Sequence, residues 1–262
     1  MKQICNLAAI LYLDLEKIVI IPTYNEKENI SLIIHTVFGL KQGYHVLVID
    51  DGSPDGTAEI VKNLMSQYPD QLFIAERTGK LGLGTAYIHG FKWCLEKGYA
   101  FIFEMDADFS HSPHDLERLY DACNTGGADL SIGSRYVPGG KTENWPIDRK
   151  IYSKGGAFYT KVITWMPVND PTAGFVCYKR EVLDAMNLDQ ISFVGYAFQI
   201  EMKFAAWKLG FKIKEVPITF IDRKIGQSKM SKGIIKEGVL GVLKIQWQSL
   251  FKDYHKRLKN NN

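Results

Sequence analysis

At 262 residues, with 46% hydrophobic and 23% charged content, the chain has the composition of an ordinary globular protein, long enough for one large α/β domain with a filled core. Disordered and fibrous classes are excluded. The formal charge of +3 is unevenly spread: residues 223–262 carry +8 and everything before them −5. That asymmetry points to an anionic partner for the tail, whether nucleic acid, acidic lipid or a phosphate.

Four cysteines, Cys5, Cys94, Cys123 and Cys177, stand far apart without a C-x-x-C pair, against both a disulfide framework and a zinc knuckle, and in favour of a reducing compartment. No stretch reaches the roughly 18 apolar residues that a spanning helix needs. The short apolar run within Met1–Leu13 has no small-residue cleavage pattern behind it, so residues 1–16 read as an N-terminal extension rather than a signal peptide.

From Lys17 onward, β-rich runs alternate with helix-period segments, the pattern of βαβ units in a largely parallel sheet. Strands are expected at Lys17–Ile21, His45–Ile49, Leu72–Ala75, Tyr99–Met105 and Asp129–Ile132, and helices at Glu26–Phe38, Thr57–Gln67, Thr85–Lys97 and Pro113–Asn124. The last helix has a start signal in Ser112 as cap, Pro113 in the first turn and Asp115. Val137–Arg149, rich in Gly, Pro and polar residues, reads as a mobile loop over a site. A helix at Ile151–Trp165, a strand at Gly174–Tyr178, a helix at Phe198–Leu209 and a strand at Lys212–Ile218 follow. The organisation is one domain over 17–232 with an appended basic, amphipathic helix over 233–262. On its wheel Leu240, Leu243, Trp247, Leu250, Phe251 and Tyr254 share one face, opposite Gln248, Lys252 and Lys256. Such a helix can lie on a membrane, pack on its own domain or bind a partner.

Ligands of open parallel sheets sit at the carboxyl ends of the strands. Here those ends are polar: Pro22-Thr-Tyr-Asn-Glu26 after the first strand, Asp50-Asp-Gly-Ser-Pro-Asp-Gly-Thr57 after the second, and Asp106-Ala-Asp108 after the fourth. Two carboxylates one residue apart at a strand end suit a hard cation, which takes one or two carboxylates and completes its shell with water and substrate phosphates. The Asp50–Thr57 run also reads as a turn and helix cap, with Asp51 left to accept hydrogen bonds from a nucleotide. Leu81-Gly-Leu-Gly-Thr-Ala86 lacks the third glycine and the acidic partner of a dinucleotide fingerprint, so a Rossmann oxidoreductase is not expected. Its glycines allow close approach to a ligand or a tight helix start.

These motifs, together with Gly133-Ser-Arg-Tyr136 and Arg223-x-x-Gly226-x-Ser228-Lys229, run in order from about Lys17 to Trp247. The sequence resembles family 2 glycosyltransferases of GT-A fold, and within them the dolichyl-phosphate and polyprenol-phosphate mannose synthases. The resemblance implies a mostly parallel central sheet with helices on both faces, and transfer of mannose from GDP-mannose to a polyprenyl phosphate with inversion, using Mg²⁺ or Mn²⁺. It assigns Pro22, Tyr24, Glu26, Ile49 and Asp51 to the guanosine, Asp106 and Asp108 to the metal and Ala107 to the nucleotide. Arg135, Arg223 and Lys229 fall at its phosphate-binding positions. Asp108, Arg135 and Glu201 form the expected catalytic set, with Glu201 and Gln199 beside the acceptor. Glu201 and Asp170 have bland readings too, on a helix with a core face and in an Asp-Pro turn.

A lipid monophosphate, with a second pKa of about 6, is largely dianionic at neutral pH, so no general base is obligatory. Attachment to the cytoplasmic face of a membrane is expected through the basic tail or through a small membrane-anchoring protein. Competing readings are a UDP-sugar transferase and a nucleic-acid-binding module. The latter lacks a recognised motif and leaves the acidic strand ends without purpose, so no nucleic-acid partner is expected. A nucleotidyltransferase would need a Gly-rich triphosphate loop, which is not seen.

Overall fold

The computed structural model describes residues 16–222 and 232–254. Within them β1 (Lys17–Thr23), α1 (Ile30–Phe38), β2 (His45–Asp50), α2 (Thr57–Met65), β3 (Leu72–Glu76), α3 (Leu83–Lys97), β4 (Phe101–Glu104), α4 (Asp115–Asn124) and β5 (Leu130–Ser134) alternate as expected. The second half holds β6 (Lys141–Glu143), α5 (Ile147–Thr164), β7 (Val176–Lys179), α6 (Arg180–Ala185), α7 (Tyr196–Lys208), β8 (Ile213–Pro217), β9 (Thr219–Ile221) and α8 (Lys232–Gln248). The expected N-terminal extension lies outside the described residues but for Glu16, as does the basic end beyond Tyr254.

Seven strands form one sheet in the order β3-β2-β1-β4-β7-β5-β8, parallel throughout except for β7, which runs antiparallel to both β4 and β5. β1 is buried on both faces, and its residues divide with the period of two that a pleated strand imposes. Ile18 and Ile20 join Tyr87 and Phe91 of α3 and Phe198 and Met202 of α7, while Val19 and Ile21 join Ile33 and Val37 of α1, Val61 of α2 and Leu119 of α4. The α/β expectation, with helices on both faces, therefore holds.

Two local expectations shift and a third is met. The Val137–Arg149 segment contains β6, which pairs in parallel with β9, and α5 starts within it at Ile147, immediately after Pro146, whose missing N–H costs nothing at a helix start. Helix α4 begins at Asp115, with Ser112 contributing its carbonyl rather than its hydroxyl: Asp115 N donates to Ser112 O at 3.0 Å. The glycines after β3 serve a tight helix start. Gly82 adopts φ +102°, and a Cβ on Gly84 would stand 2.8 Å from the Phe193 carbonyl and the Phe198 ring.

The C-terminal helix is turned over relative to the simple core-facing reading. Val242, Ile245 and, beyond the helix, Tyr254 are buried, whereas Leu240, Leu243, Trp247, Leu250 and Phe251 are exposed. Lys252, placed on the polar side of the wheel, points inward and donates to Glu201 Oε1 at 2.6 Å. Glu201 is itself fully buried, and its Oε2 accepts from the backbone N–H groups of Ser192 and Phe193 at 2.8 and 3.1 Å. A carboxylate so placed fastens the C-terminal segment and the 192–193 loop to α7.

Two substitutions test these contacts. Gly84→Ala forces the 193 carbonyl to move and costs about 1–3 kcal/mol, read as a fall in Tm of about 2–4 °C for each kcal/mol. Glu201→Gln weakens a charge-assisted contact and costs about 1.5–3 kcal/mol by denaturant unfolding, with kcat nearly unchanged. A collapse of kcat in a folded Glu201→Gln protein would restore this residue to the chemistry.

Candidate active site

The polar ends of β1, β2 and β4 meet at one edge of the sheet, and hydrogen bonds between their loops fix the shape. Asn25 N donates to Ser53 Oγ at 3.0 Å, Glu26 N to Thr57 Oγ1 at 3.0 Å and Lys27 N to Asp55 Oδ2 at 3.2 Å. Asp50 is spent on this scaffold, accepting from Thr23 Oγ1 at 2.8 Å and from Ser53 N and Oγ at 2.8 and 2.6 Å. Asn25 and Phe109, non-glycine residues at the ends of β1 and β4, take φ of 60° and 58°, left-handed conformations that carry strain and concentrate at functional turns.

Above these ends lies a cavity of about 910 Å³. Pro22, Tyr24, Glu26, Asp51, Asp106, Ala107, Asp108 and Arg135 all line it, as does Gln199. Two of the expected residues do not. Ile49 is fully buried in the core with Ala86 and Tyr87, because its position on β2 turns the side chain into the sheet face rather than to the edge. Glu201 lies on the part of α7 turned towards the 192–193 loop and Lys252. Arg223 and Lys229 fall outside the described residues.

Asp51 is less available than its turn suggested. Arg77 Nε donates to its Oδ1 at 2.6 Å, and the same guanidinium reaches Thr85 Oγ1 at 2.8 Å, tying β2 to the start of α3. Lys80 stands 5.0 Å from the Tyr24 ring, and both line the cavity. That cation and ring sit together at the Asp51 end, a surface suited to an aromatic base and its phosphates.

At the β4 end, Asp106 is partly exposed and Asp108 is held by the Ser110 backbone N–H at 3.0 Å. His111, buried and stacked on Phe175, has its Nδ1 without a hydrogen-bond partner among the described residues, 3.9 Å from Asp106 Oδ2. Burial holds the imidazole below its usual pKa, opposed by the Asp108 charge. The carboxylates fit a hard divalent cation that completes its shell with substrate oxygens. Among the described residues no three His, Cys, Asp or Glu side chains form a protein-only cage.

The far end is cationic and aromatic. Arg135 forms a bidentate pair with the fully buried Asp170, through Nε to Oδ2 at 2.7 Å and NH2 to Oδ1 at 2.6 Å, and its guanidinium lies 5.1–5.5 Å from the rings of Tyr136, Trp145 and Phe220. Arg149 of α5 packs 4.1 Å from the Trp145 ring and donates to Asp222 Oδ2 at 2.7 Å. Arg149 Nε and Trp145 Nε1 are buried donors without partners among the described residues, and both residues line the cavity. The sequence reading missed Arg77, Lys80, Trp145 and Arg149. A signal did exist for the last two, an arginine and a tryptophan inside the segment taken for a loop over the site.

Beyond Arg149 the cavity wall becomes apolar, formed by Ile151, Tyr152 and Tyr159 of α5 and Val239 and Val242 of α8. Twelve of the sixteen large apolar side chains exposed among the described residues belong to these two helices or the few residues just after them. The two helices pack together, with Tyr159 Oη donating to Val239 O at 3.1 Å.

Several known proteins are similar to this chain. Polyprenol monophosphomannose synthase of Mycolicibacterium smegmatis is 48% identical over 225 residues, covering 86% of this chain and 84% of that one. Undecaprenyl-phosphate mannosyltransferase of Micrococcus luteus is 46% identical over 88% of this chain and 96% of that one. Dolichol-phosphate mannosyltransferase of Pyrococcus furiosus is 38% identical over 88% of this chain and 64% of its own length. Among solved structures, glucosyl-3-phosphoglycerate synthase of Mycobacterium tuberculosis superposes with a TM-score of 0.68 at 15% identity, covering 91% of this chain and 82% of that one. That likeness shows the fold, which is GT-A. Residues 18–186 match the model of glycosyl transferase family 2. With that match and relatives at 48% and 46% identity across most of its length, the chain belongs to glycosyl transferase family 2.

Proposed function

We propose that the protein transfers a mannosyl residue from GDP-mannose to a polyprenyl monophosphate, with inversion, while resting on the cytoplasmic face of a membrane. The observation that carries this reading is the mixed lining of this cavity: the Asp106 and Asp108 carboxylates, two arginines, and an apolar stretch on two helices with exposed apolar faces. A lipid phosphate combines an anionic head for the arginines with an apolar tail for that stretch. The names of the relatives converge on polyprenyl or dolichyl phosphate and on mannose, which supports both substrates.

The residues divide the work by position. Tyr24, Lys80 and Asp51 bind the nucleotide end. Asp106 and Asp108 would hold Mg²⁺ or Mn²⁺, which supplies charge neutralisation for the departing diphosphate; a solved relative of the fold was crystallised with Mn²⁺ and a nucleotide sugar. Arg149, stacked on Trp145 and with Nε unpaired among the described residues, receives the acceptor phosphate, and the Trp145 indole N–H offers a second donor. Arg135, fixed by Asp170, adds a stationary positive charge to the same region. The dianionic acceptor attacks the anomeric carbon in line with the leaving group. The gain comes from positioning and electrostatic stabilisation rather than from a base.

The exposed apolar faces of α5 and α8 support membrane contact. Trp165, at the C-terminal cap of α5, is 81% exposed at φ 62°, an uncommon conformation for a bulky side chain. Trp247 and Phe251 extend the face on the α8 side, and Lys154, Lys161 and Lys244 are exposed on the same two helices. Aromatic and basic groups together suit an anionic interface. Among the described residues no helix is long and apolar enough to cross a membrane.

Purified protein incubated with radiolabelled GDP-mannose, a polyprenyl phosphate and Mg²⁺ or Mn²⁺ is expected to place label in the lipid phase, and Asp108→Ala to reduce that transfer by about 10²–10³-fold. Tight GDP-mannose binding without transfer would overturn the acceptor; preference for UDP-glucose would overturn the donor. On phosphatidylglycerol vesicles, Trp247→Ser with Phe251→Ser is expected to lower partitioning by about tenfold or more while leaving transfer to a short, water-soluble polyprenyl phosphate intact. Unchanged partitioning would remove α8 from the membrane contact.

A further inference from the structure

Beside the cavity, which Gln199 lines, runs a buried polar chain that the reaction described above leaves without a task. Lys203 on α7 is fully buried, and its Nζ donates to Ala173 O at 2.7 Å, to Gln199 Oε1 at 2.8 Å and to Gln199 O at 3.1 Å. Gln199 Nε2 in turn donates to Glu104 Oε2 at 2.7 Å. Glu104, at the end of β4, is also fully buried, with the buried Tyr178 hydroxyl beside it. Burial pushes the Glu104 carboxyl up and the Lys203 ammonium down from their ordinary pKa values. Two buried ions joined through one neutral amide are a costly way to fill a core, where apolar residues of similar volume would serve as well.

Their effect is to fix an orientation. With the ammonium on one side and the carboxylate on the other, the Gln199 carbonyl must face Lys203 and the NH₂ must face Glu104; the reverse flip sets donor against donor and acceptor against acceptor. One N–H of Nε2 is then committed to Glu104, and the second has no partner among the described residues. Nε2 lies beside Gly174, where a Cβ would stand 3.7 Å from it, and Gln199, Ala173 and Gly174 all line the cavity. Thr172, next in this wall, accepts from Arg135 NH2 at 3.0 Å, while Glu104 is two residues before Asp106. Gln199 is therefore tied on one side to the strand that carries the carboxylates and on the other to the turn that holds Arg135.

In a transfer from a nucleotide sugar to a lipid phosphate, the group that occupies the space between leaving diphosphate and acceptor phosphate is the sugar. Resting on the reading of the cavity given under Proposed function, we propose that Gln199 donates a hydrogen bond to a hydroxyl of the transferred hexose and so takes part in choosing it. Glu104 and Lys203 are positioning residues that hold the amide with a donor turned to the sugar. Gly174 keeps that donor accessible, since a side chain there would stand over Nε2.

The test compares GDP-mannose with its 2-, 3-, 4- and 6-deoxy analogues on the wild-type enzyme and on Gln199→Leu. For wild type, one analogue is expected to lose about tenfold or more in kcat/KM. Gln199→Leu should lose a similar factor with GDP-mannose and nothing further with that analogue, while its Kd for GDP stays within about twofold of wild type, as coupling of one residue to one hydroxyl requires. Additive losses, or a variant as active as wild type on every donor, would overturn the assignment. Should Gln199→Leu fail to bind GDP, the wild-type analogue series decides alone: no analogue losing more than about threefold overturns it, since a lost hydrogen bond costs more than that.

The positioning role is read on Glu104→Gln combined with Lys203→Met, which removes both buried charges together. Expected is a Tm near or above wild type and a loss of kcat/KM like that of Gln199→Leu; wild-type activity in the double variant would leave the pair with charge compensation only. If wild type transfers no mannose at all, the donor reading has failed. Gln199 is then scored by the ratio of Kd for the nucleotide sugar that does bind to Kd for its bare nucleotide, with an unchanged ratio in Gln199→Leu overturning the proposal.

Discussion

The buried carboxylate of Asp170 holds together the half of the molecule that the βαβ pattern does not explain. It accepts three hydrogen bonds from Arg135, from the backbone N–H, Nε and NH2, and its own N–H donates to Glu215 Oε1 at 2.9 Å. Glu215 on β8 also accepts from Ser134 Oγ on β5 and from Asn169 N and Nδ2. Four segments, the end of β5, the 169–173 turn, β8 and the aromatic cage around Arg135, thus meet at two carboxylates. Such an arrangement is favourable only when each charge is satisfied, and its loss would leave a cation buried among Tyr136, Trp145 and Phe220.

That junction also explains why β7 runs against its neighbours. The chain leaves β5 at the site edge, passes through β6 and α5, and returns at the same edge through the Asp170 turn, so the strand that follows has to run antiparallel. The reversal brings Ala173 and Gly174 into the cavity wall beside Gln199. A parallel β7 would start from the opposite edge and leave that wall without a floor. Topology and chemistry are therefore tied here through one turn, whose Asp-Pro pair looks like ordinary loop punctuation in the sequence.

How much could be read from residues alone follows from how local each signal is. The place of Asp106 and Asp108 at the cavity was legible because a polar pair breaks a buried strand at its carboxyl end, and strand ends of a parallel sheet share an edge. The place of Tyr24, Glu26 and Asp51 there was legible for the same reason. Ile49 lies away from the cavity because resemblance carries over a position, not a side-chain direction, and on β2 that direction is into the core. Glu201 lies away from it because a helix presents several faces, and neither periodicity nor composition says that the face bearing Glu201 meets the 192–193 loop and Lys252. Arg149 escaped notice because its partners, Trp145 and Asp222, lie just after β6 and β9, strands of three residues too short to register.

The C-terminal helix shows the same limit from the other side. Its wheel separates apolar from basic residues, yet amphipathicity does not state which face is turned inward. Here a narrow stripe of Val242 and Ile245 packs on the domain, Lys252 is drawn in by Glu201, and the broad apolar face is left outside. A helix whose larger apolar face remains exposed, beside a second helix that exposes Ile147, Ile151 and Phe158, is stable only because the inner stripe and the Glu201 clamp suffice to dock it. Part of the cavity wall is formed by these two helices, so on the proposed reading a long hydrocarbon chain entering there would stay in contact with apolar surface and its phosphate would meet Arg149.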